Sequence, residues 1–144
     1  MKYILKKANS SDIKYIKQVN LDIILKYVKN LSELEMNRIN NYIDTEVNLE
    51  INKYKIIYCD NKKVGCVLVT KKENEVLLKI IYIENDYKGK GIGTSIITDI
   101  IHNNSTVSLW IYKENTKTID LYKRLGFHIL NETKTRYYMK YKKV

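Results

Sequence analysis

The chain has 144 residues and a mass of 17.1 kDa, with 44% apolar and 29% charged residues, enough apolar side chain for one core without disulfides or metals. That balance excludes wholesale disorder, and no apolar run approaches the roughly 18 residues of a membrane span. The net charge of +10 is spread as dispersed Lys without a long block of like charge, so it reads as a Lys-rich solvated surface and makes a nucleic-acid partner unlikely. The start, Met1 to Lys7, lacks the apolar stretch of a secretory signal, which points to the cytoplasm. Cys59 and Cys66 make no disulfide framework. Their spacing matches no zinc pattern and His102 and His128 stand alone, so no metal site is expected.

Taken in chain order, residues 3–6 suggest a first strand. Ser10 or Ser11 can cap a helix from about Asp12, in which Ile13, Ile16, Val19, Ile23 and Tyr27 recur at helical spacing. Ser32 and Glu35 fit a capping box, predicting a second helix through about Ile43, while residues 44–53 are ambiguous. Residues 55–59 and 64–69 read as a hairpin around the polar turn 60–63. A near-continuous apolar run over 76–83 reads as a central strand.

The pattern then changes. Residues 88–93 form a glycine-rich loop, and Ile92, Ile96, Ile97, Ile100 and Ile101 mark one face of a helix ending near Asn103. Val107, Leu109 and Ile111 alternate with Ser108, Trp110 and Tyr112 along another strand. Asn115 can cap a short helix over 116–125, Gly126 suits its left-handed termination, and strands follow at 127–130 and 137–140. The order is β-α-α-β-β-β-α-β-α-β-β, a single α/β domain over residues 1–144 with a mixed central sheet flanked by helices.

Strand, glycine loop and helix in succession form the local grammar of a phosphate site. Glycines admit the ligand to the backbone, and free amides at the helix start point at the anion. A Walker loop fails because no glycine precedes Gly89 at the needed spacing. A dinucleotide fingerprint fails because Thr94 or Ser95 stands where the third glycine falls. The stretch Lys88-Gly89-Lys90-Gly91-Ile92-Gly93 instead resembles the acetyl-CoA loop of the GNAT N-acetyltransferase superfamily, Arg/Gln-x-x-Gly-x-Gly/Ala, with Lys88 in first place. Residues 115–127, from Asn115 through Tyr122 to Gly126-Phe127, resemble the family's Asn-x-x-Ala-x-x-x-Tyr-x-x-x-Gly-Phe signature, with Thr118 replacing the alanine.

The resemblance implies a reaction and a set of roles. Two neighbouring parallel strands, 76–83 and 106–112, would splay around the pantetheine arm of acetyl-CoA. Backbone groups of Ile81 and Ile83 would bond its amides, and the amides of Lys88, Gly89, Lys90, Gly91, Ile92, Gly93 and Thr94 would hold the pyrophosphate. Asn115 would bond the cofactor arm, and Tyr122 takes the general-acid position. Several relatives place a glutamate where this chain has Trp110, so deprotonation of the amine is expected through water and backbone carbonyls rather than through Glu84 or Glu114.

The acceptor would be a primary amine, either a small cation or a protein amine. Residues 30–52 hold five acids against Arg38 alone, a net −4 that leaves +14 elsewhere, and an acidic lip there would attract a cation. Trp110 and Tyr112, on the opposite side of their strand from Val107, Leu109 and Ile111, either line an acceptor pocket or pack beneath a helix. A homodimer is compatible with the resemblance. Two other readings stay open: a CoA-binding regulatory module of the same fold without catalysis, and a nucleic-acid-associated protein suggested by charge alone.

Overall fold

The computed structural model describes residues 2–144. Its elements are β1 (Ile4–Lys7), α1 (Ile13–Tyr27), α2 (Glu33–Glu50), β2 (Tyr54–Cys59), β3 (Lys62–Lys72), β4 (Glu75–Ile83), α3 (Ile92–His102), β5 (Thr106–Tyr112), α4 (Thr116–Arg124), β6 (His128–Glu132) and β7 (Arg136–Lys142). The order predicted from the sequence is the order found, with short 3-10 turns added at Ser10–Asp12, Ile51–Lys53 and Asn85–Tyr87. All seven strands join one sheet in the order β1-β2-β3-β4-β5-β7-β6. It is mixed because β4 and β5 run parallel and every other pair is antiparallel.

Strand alternation sends side chains to two cores. Ile56 of β2 and Cys66 and Leu68 of β3 meet Ile16, Val19, Ile43 and Val47 of α1 and α2 on one face. Ile57, Val76 and the β5 row Val107, Leu109 and Ile111 meet α3, α4 and Phe127 on the other. Both cysteines are buried, unpaired thiols on β2 and β3, and burial pushes the Cys66 thiol up to about 12.

Local chemistry explains the helix starts. The Ser32 hydroxyl accepts from the Glu35 amide and the Glu35 carboxylate accepts from the Ser32 amide, closing the capping box. At the first helix the cap is Asn9 rather than Ser10 or Ser11. Its side chain accepts from the Ser11 amide, and Asp12 accepts in return from the Asn9 amide. The ambiguous stretch after Ile43 is two further turns of α2, as far as Glu50. Ile43 and Val47 lie one turn apart and are both buried, while the residues between them are polar.

Two irregularities in the sheet position the site. Leu68 pairs with Ile80 but Val69 pairs with Leu78, so Lys79 is an extra residue bulging from β4. It exchanges the faces of the strand. Val76 and Leu78 before it, and Ile81 and Ile83 after it, all pack on the α3–α4 side, while Ile80 and Tyr82 turn to α1. The second irregularity is a split. β4 and β5 pair only over Glu75–Leu77 and Thr106–Ser108, and beyond Leu77 the two parallel strands are no longer bonded to each other.

Candidate active site

The split leaves one backbone edge of β4 without a strand partner from Leu78 to Ile83, although its other edge stays paired with β3 as far as Ile83. Unpaired backbone N–H and C=O groups at a sheet interior need partners from elsewhere. Ile81 and Ile83 lie on this open edge, with their side chains packed toward α3. An extended chain carrying amides fits there as an added strand.

At the end of the split, the loop runs from the Asn85–Tyr87 turn into α3. Gly91 occupies the cap position with φ +85°, and Gly89 precedes it with φ +73°. A side chain at either position would meet nothing within 4 Å, so the positive φ, not crowding, is what calls for glycine. The first intrahelical bond runs from the Ser95 amide to the Gly91 carbonyl, which leaves the amides of Ile92, Gly93 and Thr94 free at the helix start. Lys88 and Lys90 are exposed beside them. Partial desolvation, then the charge of Lys26 at the end of α1, push the Lys88 ammonium below the usual lysine range. Cations gathered beside free amides suit a polyanion such as a pyrophosphate.

Across the split, Asn115 holds the cap position of α4, but its side chain makes no capping bond and stays available. This departs from the capping role the sequence suggests. Gly126 ends α4 with φ +103°. Tyr122 lies two turns beyond Asn115, 3% exposed, its ring edge-on to Phe127 at 5.2 Å. Burial raises its pKa, so the hydroxyl stays protonated. No described side chain bonds that hydroxyl; among the described residues the one fully enclosed side-chain oxygen without a partner is Glu50 Oε2.

The opposite face of the sheet carries a cleft of about 460 Å³ between α1 and the end of β4, lined by Tyr15, Asp22, Tyr82, Glu84 and Asp86 among others. The Tyr15 hydroxyl donates to Glu84 Oε2 at 2.6 Å. Behind it, Lys63 lies over the Tyr15 ring at 5.5 Å and bridges to Asp12 at 2.5 Å. A chain of contacts thus ties the first helical turn to the cleft wall. Burial, then the Glu84 carboxylate, raise the Tyr15 hydroxyl far above its ordinary range. Burial, Asp22 and Glu84 raise that of Tyr82. Both phenols are therefore neutral donors facing carboxylates.

The acids of this cleft come from α1 and from the segment after β4, not from residues 30–52 as the charge count suggests. On α2, Asp44 pairs with Lys17 at 3.2 Å and Glu50 pairs with Lys79. Nothing in the chain's local pattern marks Glu84, because its partner Tyr15 lies 69 residues away. Tyr112 does face α1, stacking on Tyr27 at 4.5 Å, whereas Trp110 packs beneath no helix and is 41% exposed. Among the described residues, no group of three or more His, Cys, Asp or Glu could hold a metal, and no helix is long and apolar enough to cross a membrane.

Residues 51–129 match the model of the acetyltransferase (GNAT) domain. An uncharacterized N-acetyltransferase of Methanocaldococcus jannaschii is 40% identical over 52 residues, a stretch covering 33% of this chain and 23% of the length of that relative. The fold is similar to that of the PaiA N-acetyltransferase of Thermoplasma acidophilum in complex with coenzyme A, with TM-score 0.78, 18% identity and 99% of each chain covered. It is also similar to that of Arabidopsis thaliana Naa50 in complex with a bisubstrate analogue, with TM-score 0.65, 19% identity and 97% and 98% covered. With more than half of its length matched by the family model, this chain belongs to the GNAT acetyltransferase family.

Proposed function

We propose that residues 1–144 work as one domain that moves an acetyl group from acetyl-CoA to a primary amine, either a small cation or a protein amine. The observation that carries this reading is the split between β4 and β5, with the glycine loop at its end and an acidic cleft on its far face. The pantetheine arm would lie along the open edge at Ile81 and Ile83. The pyrophosphate would sit on the amides from Lys88 to Thr94, and Asn115 would bond the arm from α4. The thioester then lies in the split, open to the α1 face.

There the amine enters among Asp22, Glu84 and Asp86, whose charge draws the ammonium form. Nucleophilic nitrogen must be neutral, so one proton leaves before or during attack. The nitrogen bonds to the thioester carbon, the C–S bond breaks, and the sulfur departs with its electron pair. Tyr122 is the hydroxyl assigned to that sulfur. Burial keeps that hydroxyl protonated, so it meets the developing thiolate as a hydrogen-bond donor. The proton that finally neutralises the sulfur comes from the pool released by the amine.

Deprotonation runs through water and backbone carbonyls, while Glu84, fixed by Tyr15, binds the ammonium. Glu84→Gln therefore raises KM for the amine and retains turnover, and a variant with no turnover would make Glu84 the base. The principal test is CoA release from acetyl-CoA across polyamines, an aminoglycoside, free Lys and N-terminal peptides, with Tyr122→Phe beside the wild type. Amine-dependent release that falls with Tyr122→Phe is the expected result. Tight acetyl-CoA binding without release under any amine would assign a silent CoA-binding module instead, and no binding would overturn the reading.

A further inference from the structure

Helices α1 and α2 cover the sheet only over its β1–β4 half, since the core beneath them holds no residue of β5, β6 or β7. Beyond that core, alternation along the strands puts Trp110 and Tyr112 of β5 and Arg136, Tyr138 and Lys140 of β7 on the same face; Tyr27 at the end of α1 reaches Tyr112, while Trp110 and Arg136 are exposed. Trp110 and Tyr138 are cross-strand partners with ring centroids 5.0 Å apart, and the Arg136 guanidinium lies over the indole at 5.4 Å. Lys140 already holds Glu75 at 2.8 Å, but no carboxylate among the described residues pairs with Arg136. A guanidinium stacked on an indole keeps its N–H edge free, and that edge matches a carboxylate with two parallel hydrogen bonds.

The location gives this group a role. Arg136 is directly opposite Tyr112, and Tyr112 borders the split from the β5 side while stacking on Tyr27 of α1. The cleft with Asp22, Glu84 and Asp86 lies across the split on the same face. Strands are spaced about 4.8 Å apart, so Arg136 lies on the order of 10 Å from the split, the length of about three residues of extended chain. The face is therefore negative where the amine enters and positive beyond it, with two aromatic rings as a floor.

We propose that the acceptor is a peptide α-amine followed, at its second to fourth residue, by an acidic side chain held by Arg136 on Trp110. This deepens the reading above and rests on it for the place of the amine. A polyamine matches the acidic end alone, because its remaining cations would meet Arg136. A peptide with an early Asp or Glu matches both ends.

Trp110 is the single tryptophan of the chain, so its emission reports occupancy of this face whether or not turnover occurs. Peptides differing only in Asp, Ser or Lys at the second and third residues are titrated into the protein loaded with CoA, and the same peptides are compared in CoA release. The Asp peptide should give a saturable change in Trp110 emission and exceed the Lys peptide about tenfold in kcat/KM, the scale of a charge-assisted hydrogen bond. Arg136→Glu should invert that order in both readouts. Equal emission responses for the three peptides, or a preference for Asp that survives Arg136→Glu, overturns the inference even where amine-dependent CoA release stands. Absence of release with any amine, alongside an Asp-selective emission change, removes the catalytic reading and leaves the anion-recognising face. A single-stranded oligonucleotide that perturbs Trp110 with steep salt dependence, where the peptides do not, assigns the face to nucleic acid and overturns the inference.

Discussion

The end of β4 is held in place by the absence of a single methyl group. Gly65 on β3 pairs with Ile83, and a Cβ built on it would lie 1.9 Å from the Tyr82 carbonyl oxygen and 2.9 Å from its carbon. These are backbone atoms, so no rotamer change relieves the overlap, and the Ile57 side chain closes the remaining space at 3.2 Å. Gly65→Ala must push β4 away from β3 just where β4 presents Ile81 and Ile83 to the split. Overpacking of this kind costs about 3 kcal/mol, the upper part of its usual range. For 144 residues the unfolding entropy is about 0.3 kcal/mol/K, so Tm should fall by about 10 °C. Acetyl-CoA affinity should fall as well, because the displaced edge is the one assigned to the pantetheine arm. Gly93→Ala is the control. Its Cβ would meet only the tip of the Ile83 side chain at 3.2 Å, and alanine gains about 1 kcal/mol of helix propensity, so its Tm should stay near that of the wild type. Thermal melts followed by circular dichroism, with acetyl-CoA titrations on the same samples, read both effects. A Gly65→Ala protein that melts within about 2 °C of the wild type would falsify the claim that β3 and β4 meet here without slack.

Three other outcomes follow from the same geometry. Tyr122→Phe removes a hydroxyl that no described side chain bonds, so Tm should hold or rise slightly while kcat drops on the order of 10²-fold; a drop in Tm with kcat intact would make the hydroxyl structural. Gly91→Ala forces a methylated residue to φ +85° in open space, which should cost about 1–2 kcal/mol and weaken acetyl-CoA binding, and calorimetric titration showing undiminished affinity would remove Gly91 from the phosphate site. Burial of Asp12 opposes its ionisation, but hydrogen bonds from Lys63 and from the Asn9 amide, with the Lys63 charge, outweigh it and hold the carboxyl below its ordinary 3.8. The stability it contributes is complete above that value and is lost as pH falls through the lower, folded-state pKa. Urea titrations should therefore show wild type and Asp12→Asn converging as pH drops below 3.8, and parallel curves would show that the pair with Lys63 contributes nothing.

The elements were legible because their signals are local. Ser32 and Glu35 lie within one helical turn, the isoleucines of α3 recur at its period, and Gly91 and Gly126 take positive φ that other residues adopt at a cost. The two motifs at 83–93 and 115–127 are each a few contiguous turns, so the parts assigned to the cofactor could be named from the chain alone. The extent of α2 was less legible, because the two turns after Ile43 bury only Val47 and leave Leu49 exposed among polar residues.

What the sequence could not supply is whatever depends on which strands lie side by side. The splay of strands 76–83 and 106–112 was expected only through the family resemblance, and neither the bulge at Lys79 nor the end of β4–β5 pairing at Leu77 shows in the periodicity of residues 75–83. Tyr15 and Glu84 join across 69 residues, and Trp110, Tyr138 and Arg136 gather only because β7 enters the sheet between β5 and β6. A residue's periodicity records which face it buries, whereas strand order and register decide which other residues share that face. The glycine loop and the Asn115–Phe127 stretch, proposed for the cofactor and built from contiguous turns, were therefore legible in the chain, whereas the cleft and the aromatic face proposed for the acceptor, built from distant strands and a helix, were decided by the tertiary fold.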